Sequence, residues 1–250
     1  MPRYLIRVEY DGTGYVGWQR QDNGPSVQAE IEAAATLIIG KREEVMVQGS
    51  GRTDAGVHAT GQAAHFDLPV EFSLEKLPIA LNANLPRDIR VRSAIAVSDE
   101  FHARFDARTR AYRYRILPRR VGTALEHTRV WHVPHTLDVA KMEEAAQHLI
   151  GNHDFTSFRA THCQAASPVK TLDHLSFVED GEGIALIASA RSFLHHQIRN
   201  ITGTLVQVGL GKWTPDDVKT ALEAKHRSAA GPTAPAHGLY LTDVQYPHID

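Results

Sequence analysis

Apolar residues in the first hundred positions fall into alternating blocks of two periods. Tyr4 to Tyr10 alternates as a strand does, whereas Val27, Ile31, Ala34 and Ile38 keep helical spacing between a capping Ser26 and a terminating Gly40. Two further strands are predicted at Val45 to Gln48 and Gln62 to Asp67, then a helix from a Ser73 cap to about Asn84, bent or delayed by Pro78. Ile89 to Val97 closes a strand, helix, strand, strand, helix, strand series. That order is the ferredoxin-like split unit also used by RNA-recognition domains.

The second half repeats the pattern with additions. Strands are predicted at Arg110 to Leu117 and Arg129 to Val133, then a helix from Leu137 to Leu149 ended by Gly151. Strands at Thr171 to Glu179 and Ile184 to Arg191 flank the turn sequence Asp-Gly-Glu-Gly. A helix from about Leu194 to Val208 precedes another whose start, Thr214-Pro215-Asp216-Asp217, supplies a cap, an N1 proline and first-turn acids. Gly238 to Gln245 is the final strand. The reading is an α+β protein of two tandem ferredoxin-like units, 1–104 and 105–250, with mixed antiparallel sheets, flanking helices and a catalytic cleft between them.

The densest candidate chemistry lies between Gln48 and Gln62, where Gly49, Gly51, Gly56 and Gly61 surround one carboxylate, Asp54, flanked by Arg52 and His58. Glycines open backbone conformations and let a ligand approach the main chain, and a nearby guanidinium favours the ionised acid a nucleophile or base requires. The same spacing also suits a glycine-rich turn with a structural Arg-Asp pair. No Gly-Lys-Ser/Thr follows, so a phosphate-cradling P-loop does not fit.

At 250 residues, with 42% hydrophobic and 22% charged content, the chain can bury a large core. No stretch reaches the roughly 18 apolar residues of a membrane span and the first residues lack a signal-peptide core, which predicts a cytoplasmic protein away from membranes. One cysteine, Cys163, excludes an internal disulfide or a cysteine-based zinc cluster.

A net charge of −2 carries no global basic signal, but positive charge is concentrated locally. Arg104, Arg108, Arg110, Arg113, Arg115, Arg119 and Arg120 are interleaved with Phe105, Tyr112 and Tyr114, with Asp106 the one acid of that stretch. Arginine forks bind phosphates and aromatic rings stack on unpaired bases, so the mixture suits RNA; a solvated strand face is the alternative. Trp18, beside Gln19 and Arg20, suits either RNA contact or a buried anchor. His195 and His196 read as helix neighbours about 100 degrees apart, poor joint metal ligands, and as caps, core-edge residues or RNA contacts with Arg199. No metal-binding motif is present.

Seven blocks in order resemble the TruA family of tRNA pseudouridine synthases. They are Asp11-Gly12-Thr13 through Gly17-Trp18-Gln19, Gly49 through Ala59, Phe101 to Phe105, Tyr112-Arg113-Tyr114, Asp154 to Phe158, His195 to Asn200, and Gly238 to Leu241. The resemblance implies that Asp54 is the essential aspartate for breaking the uridine N1 to C1′ bond before the base rejoins through C5. Attack on the sugar, attack on C6 and abstraction of the C2′ proton all need an ionised carboxylate there. It implies that Tyr112 stacks on the target base and helps remove the C5 proton, and that Arg52 fills the gap left by the flipped nucleotide and pairs with Asp54. Leu239, His58 and Arg199 are implied to meet the substrate, Leu239 as an apolar wall. Phe101, His102, Ala103, Arg104 and Phe105, together with His162, Cys163, Gln164, Ala165 and Ala166, match stretches that touch tRNA, and Arg110 and Arg113 join them as candidate RNA contacts.

The implied substrate is the anticodon arm of tRNA, at roughly positions 38 to 40, with the target base flipped out of its stem. The implied assembly is a homodimer with one tRNA spanning both subunits, and no cofactor or metal is implied because the reaction is an isomerisation. Two other classes fit fewer of the residues. A non-catalytic RNA-binding module leaves Asp54 without purpose, and a metal-dependent hydrolase would use Asp54, His58 and His65.

Overall fold

Helices and strands are intermixed as the apolar pattern predicts, and the chain is of the α+β class. The structure, a computed structural model, describes residues 1–41, 43–161, 163–247 and 249. In chain order the elements are β1 (Arg3–Tyr10), α1 (Val27–Ile38), β2 (Gln48–Gly49), β3 (His58–Asp67), α2 (Lys76–Asn82), β4 (Ile89–Val97), β5 (Thr109–Pro118), β6 (Trp131–Val133), α3 (Val139–Gln147), β7 (Gly151–Asp154), β8 (Val169–Asp180), β9 (Gly183–Ala190), α4 (Gln197–Gly209), α5 (Pro215–Glu223) and β10 (Leu239–Gln245). They fall into two compact units, 1–108 with 240–250, and 109–239. The division expected at 104/105 with the last strand in the second half is therefore corrected, because most of β10 packs with the first unit.

In the first unit β1 lies between β3 and β4, antiparallel to both. The outer edge of β3 is shared. Its end is covered by β2, through Gln48 opposite His65 and Gly49 opposite Ala64. Its beginning is covered by β10, running parallel, through Tyr240 opposite His58 and Leu241 opposite Ala59. The core is built from Tyr4, Ile6 and Val8 of β1, Val27, Ile31, Ala34 and Ala35 of α1, and Leu77 and Leu81 of α2, all buried. Ser26 caps α1 by accepting from Ala29 N. Of the two effects expected of Pro78, the delayed start is what α2 shows: the helix begins at Lys76 and not directly after Ser73, which places the proline in its first turn, where an N–H has no intrahelical partner.

The predicted strand at Val45 to Gln48 contracts to the two residues of β2. Val45 and Val47 are buried, but their amides bond to side chains of α1 instead of a ladder: Val45 N donates to Thr36 Oγ1 at 3.1 Å and Val47 N to Glu32 Oε1 at 3.2 Å.

In the second unit β7, β8, β9 and β5 form an antiparallel series, and β6 joins β5 in parallel. The predicted turn between β8 and β9 forms, with Asp180 opposite Gly183 and Gly181 at φ +60°. α4 is buried along most of its length, including Thr202 and Thr204, whose hydroxyls donate to the carbonyls of Ile198 and Asn200. The helix expected from Leu194 starts three residues later. Gln197 Oε1 accepts from Leu194 N at 2.8 Å, and His196 takes a left-handed φ of 62°. At the start of α5 the Thr214 and Asp217 side chains bond reciprocally in a full capping box.

Candidate active site

Asp54 stands half-buried in the first unit, on the loop between β2 and β3. Its carbonyl accepts from Val57 N at 3.1 Å, closing a tight turn immediately beyond it. On its other side Thr53 is fixed twice: its carbonyl accepts from Trp18 N at 3.1 Å, and its hydroxyl lies 2.8 Å from that of Tyr10. Gly56 N reaches the Tyr15 carbonyl at 3.4 Å. The residues after β1 therefore clasp the Asp54 loop from both sides, and the loop depends on packing against that segment for its shape.

Two glycines make the clasp possible. Gly17 adopts φ +113°, and a Cβ there would lie 2.4 Å from the Thr53 carbonyl oxygen. A Cβ on Gly49 would lie 2.4 Å from the indole nitrogen of Trp18. The close approach at Gly49 is thus made by the protein's own indole, where the sequence suggested a ligand. Trp18 is 1% exposed, which decides for the anchor. Tyr15 is locked beside it, its hydroxyl donating to Asp88 Oδ1 at 2.7 Å, and burial together with that carboxylate pushes its phenol well up.

Arg52 is exposed, and its Nε donates to Gln19 Oε1 at 3.1 Å. His58 is 2% exposed and sits at the start of β3. Its Nδ1 accepts from Gly12 N at 3.0 Å, and an Asp11 carboxylate oxygen lies 3.2 Å from the same nitrogen. The ring stacks on Tyr240 at 4.7 Å. That burial gives His58 a supporting position behind the loop.

The stretch Phe101 to Phe105 follows β4 in the same unit. Phe101 and Ala103 are buried, whereas Arg104 and Phe105 are exposed, with the Arg104 guanidinium 5.7 Å from the Phe105 ring and the His102 ring 4.3 Å from it. Buried His65 holds the turn by accepting from Ala103 N at 3.1 Å. Desolvation, then the neighbouring His102 and Arg3 charges, lower its pKa to about 4.

In the second unit Arg110, Tyr112, Tyr114 and Ile116 share the buried face of β5. Tyr112 is 9% exposed and meets Phe193 edge-on at 5.1 Å. Arg110 donates to the Arg191 carbonyl. On the opposite face Arg113 and Arg115 both bond Asp180 at 2.6 Å, Arg115 also reaches Glu126 at 2.8 Å, and Arg119 pairs with Glu182. Arg113, Arg115 and Arg119 of the arginine strip are thus engaged by the protein's own acids from β8, the turn after it and the loop after β5. Those partners lie 11 to 67 residues from the arginines in sequence, beyond the reach of local pattern reading.

Arg199 on α4 donates through Nε to the Ala234 carbonyl at 2.8 Å, and Ala234 N returns a bond to the Arg199 carbonyl at 3.0 Å. The clamped segment continues to Pro235, whose carbonyl accepts from Tyr114 at 2.7 Å, and to buried Leu239. His195 and His196 precede α4 instead of lying on it, and their rings are 4.0 Å apart. Cys163 to Ala166 lie in a loop, half-buried at Cys163 and Ala165 and exposed at Gln164 and Ala166; His162 lies outside the described residues. Sequence reading missed Gln28 and Glu32, buried polar residues at helical spacing within the apolar stripe of α1, which is the signal that marks them.

A family model for tRNA pseudouridine synthase matches residues 6–106 and 145–247. A protein of Sinorhizobium fredii named tRNA pseudouridine synthase A is 55% identical over 249 residues, 98% of this chain and 100% of its own length. Proteins of the same name from Rhodopseudomonas palustris, 56% identical over 247 residues (98% and 100%), and Agrobacterium fabrum, 53% over 252 (100% and 94%), are similar in extent. The matched residues include the Asp54 loop, the Tyr10 to Trp18 segment that clasps it, α4 and Leu239, whereas β5 with Tyr112 lies between the two matched stretches. With matches of this identity running through nearly all of its length, the chain belongs to the tRNA pseudouridine synthase family of enzymes.

Proposed function

We propose that the chain isomerises uridine to pseudouridine in the anticodon arm of tRNA, at roughly positions 38 to 40, after flipping the base from its stem. The N1 to C1′ bond breaks, the base turns, C5 bonds to C1′, the C5 proton leaves to solvent and N1 gains one. Atoms and electrons balance without a redox partner. Asp54 is the carboxylate of the reaction, Tyr112 the stacking ring, Leu239 an apolar wall, and Arg52 the side chain that fills the vacated place in the stem. The tandem ferredoxin-like description, the homodimer and the cytoplasmic setting belong to the same reading. What supports it is the family membership, and among the structural observations one carries it: a half-buried carboxylate on a loop whose two flanks are hydrogen-bonded to buried Tyr10, Tyr15 and Trp18. Preorganisation of that kind serves a reacting group, because a carboxylate displaced by about 1 Å loses much of its effect.

The test is release of tritium from C5 of uridine in a tRNA substrate. Wild-type protein should release label to water in the presence of chelator. Asp54→Asn should reduce release at least about a thousandfold while tRNA affinity stays within about threefold. Retained label with a bound, competent tRNA would leave a binding module in place of the enzyme.

A further inference from the structure

Arg52 is joined to the interior by an unbroken chain of side-chain hydrogen bonds. Arg52 Nε donates to Gln19 Oε1 at 3.1 Å, Gln19 Nε2 to Gln28 Oε1 at 2.6 Å, and Gln28 Nε2 to Glu32 Oε1 at 3.0 Å. Gln28 and Glu32 are 6% and 3% exposed, one turn apart on α1 among Val27, Ile31 and Ala35. Two polar side chains on a packed face cost stability unless their groups are satisfied.

Those of Gln28 are satisfied completely, and the direction of each bond is fixed by the main chain. Its Oε1 accepts from Arg20 N at 3.0 Å as well as from Gln19, so that end is oxygen. Its Nε2 donates to the Val47 carbonyl at 2.9 Å as well as to Glu32, so that end is nitrogen. Gln19 must then point its amide nitrogen at Gln28, which leaves its oxygen facing Arg52. Glu32 anchors the far end by accepting from Val47 N at 3.2 Å, and its Oε2 lies 3.0 Å from Arg20 Nη2, a charge contact whose angle falls short of a hydrogen bond.

We infer that Gln28 is a positioning residue for Arg52, acting through Gln19. It fixes the amide orientation of Gln19, so that an acceptor and not a donor meets the guanidinium at the rim of the Asp54 loop. The inference rests on the reading of Arg52 as the side chain that enters the stem. A preset arginine enters the vacated place without first searching its rotamers, which speeds flipping without adding affinity for tRNA in its stacked form.

The experiment is a double-mutant cycle on single-turnover tritium release at saturating tRNA. Gln28→Met and Gln19→Met should each slow release about tenfold while the tRNA Kd stays within about twofold. Neither should slow it further in an Arg52→Ala background, because the relay then has nothing left to hold. Gln19→Met, at a half-exposed site, carries the test if Gln28→Met fails to fold. A slow Arg52→Ala enzyme with additive losses from the glutamine variants would overturn the inference and leave the reading of Arg52 intact. An Arg52→Ala enzyme at the wild-type rate would overturn both.

Discussion

His65 shows how a single buried side chain ties this protein to pH. Its ring accepts from Ala103 N and carries a pKa lowered to about 4. In the unfolded chain the same ring titrates at about 6.5, so between those values the unfolded state holds the proton that the native state refuses. Stability therefore rises with pH across that window and is lost as pH falls from 6.5 towards 4. Thermal melts between pH 7 and pH 5 should show the midpoint falling, and His65→Asn, whose side-chain oxygen can still accept from Ala103, should flatten the slope. An unchanged slope in that variant would assign the acid sensitivity to other groups. Arg113 gives a second prediction at this scale. With its guanidinium on Asp180, Arg113→Ala should lower the melting temperature yet leave the slope of log Kd for tRNA against log salt unchanged. A slope reduced by about one would return Arg113 to the phosphates.

Elements record most clearly what the sequence made legible. Alternation and capping signals were enough for β1, α1, β4, β9 and α5, because the two helices bond their own backbone and the three strands pair in antiparallel ladders that bury apolar positions. Thr214→Ala, which removes the capping box, should lower the melting temperature by about 2–4 °C with tritium release unchanged. Where the reading failed, distant groups had replaced local ones. Val45 and Val47 have the composition of a strand, but Thr36 and Glu32 of α1 take their amides, and α4 starts late because Gln197 caps back to Leu194. The Asp54 loop was visible as glycines around an acid, yet that Tyr10, read as a strand end, Trp18, read as an anchor or an RNA contact, and Tyr15 join to hold it was not. The arginines of β5 were equally visible; the acids that engage them were not, since Asp180 becomes their neighbour only after β8, β9 and β5 have paired.

At the scale of the molecule the chain enters the second unit after Arg108 and returns to the first at Tyr240. One unit is therefore interrupted in sequence by the other, a division that composition did not mark. Its returning strand covers the beginning of β3, and Tyr240 stacks on His58, four residues beyond Asp54. Deleting residues 239–250 should abolish tritium release and lower the protection of the β3 amides near His58 in hydrogen exchange. Full protection there would mean that the first unit closes without β10.

The ribosome delivers Asp54 and His58 early and Tyr240, the stacking partner of His58, late, with the whole of the second unit made in between. A nascent chain can pair β1 with β3 and set Trp18 over Gly49, but it cannot finish the edge of β3 next to the Asp54 loop until that long intervening stretch has been translated. A prematurely terminated chain thus retains the Asp54 loop and lacks the strand that covers the beginning of β3 beside it.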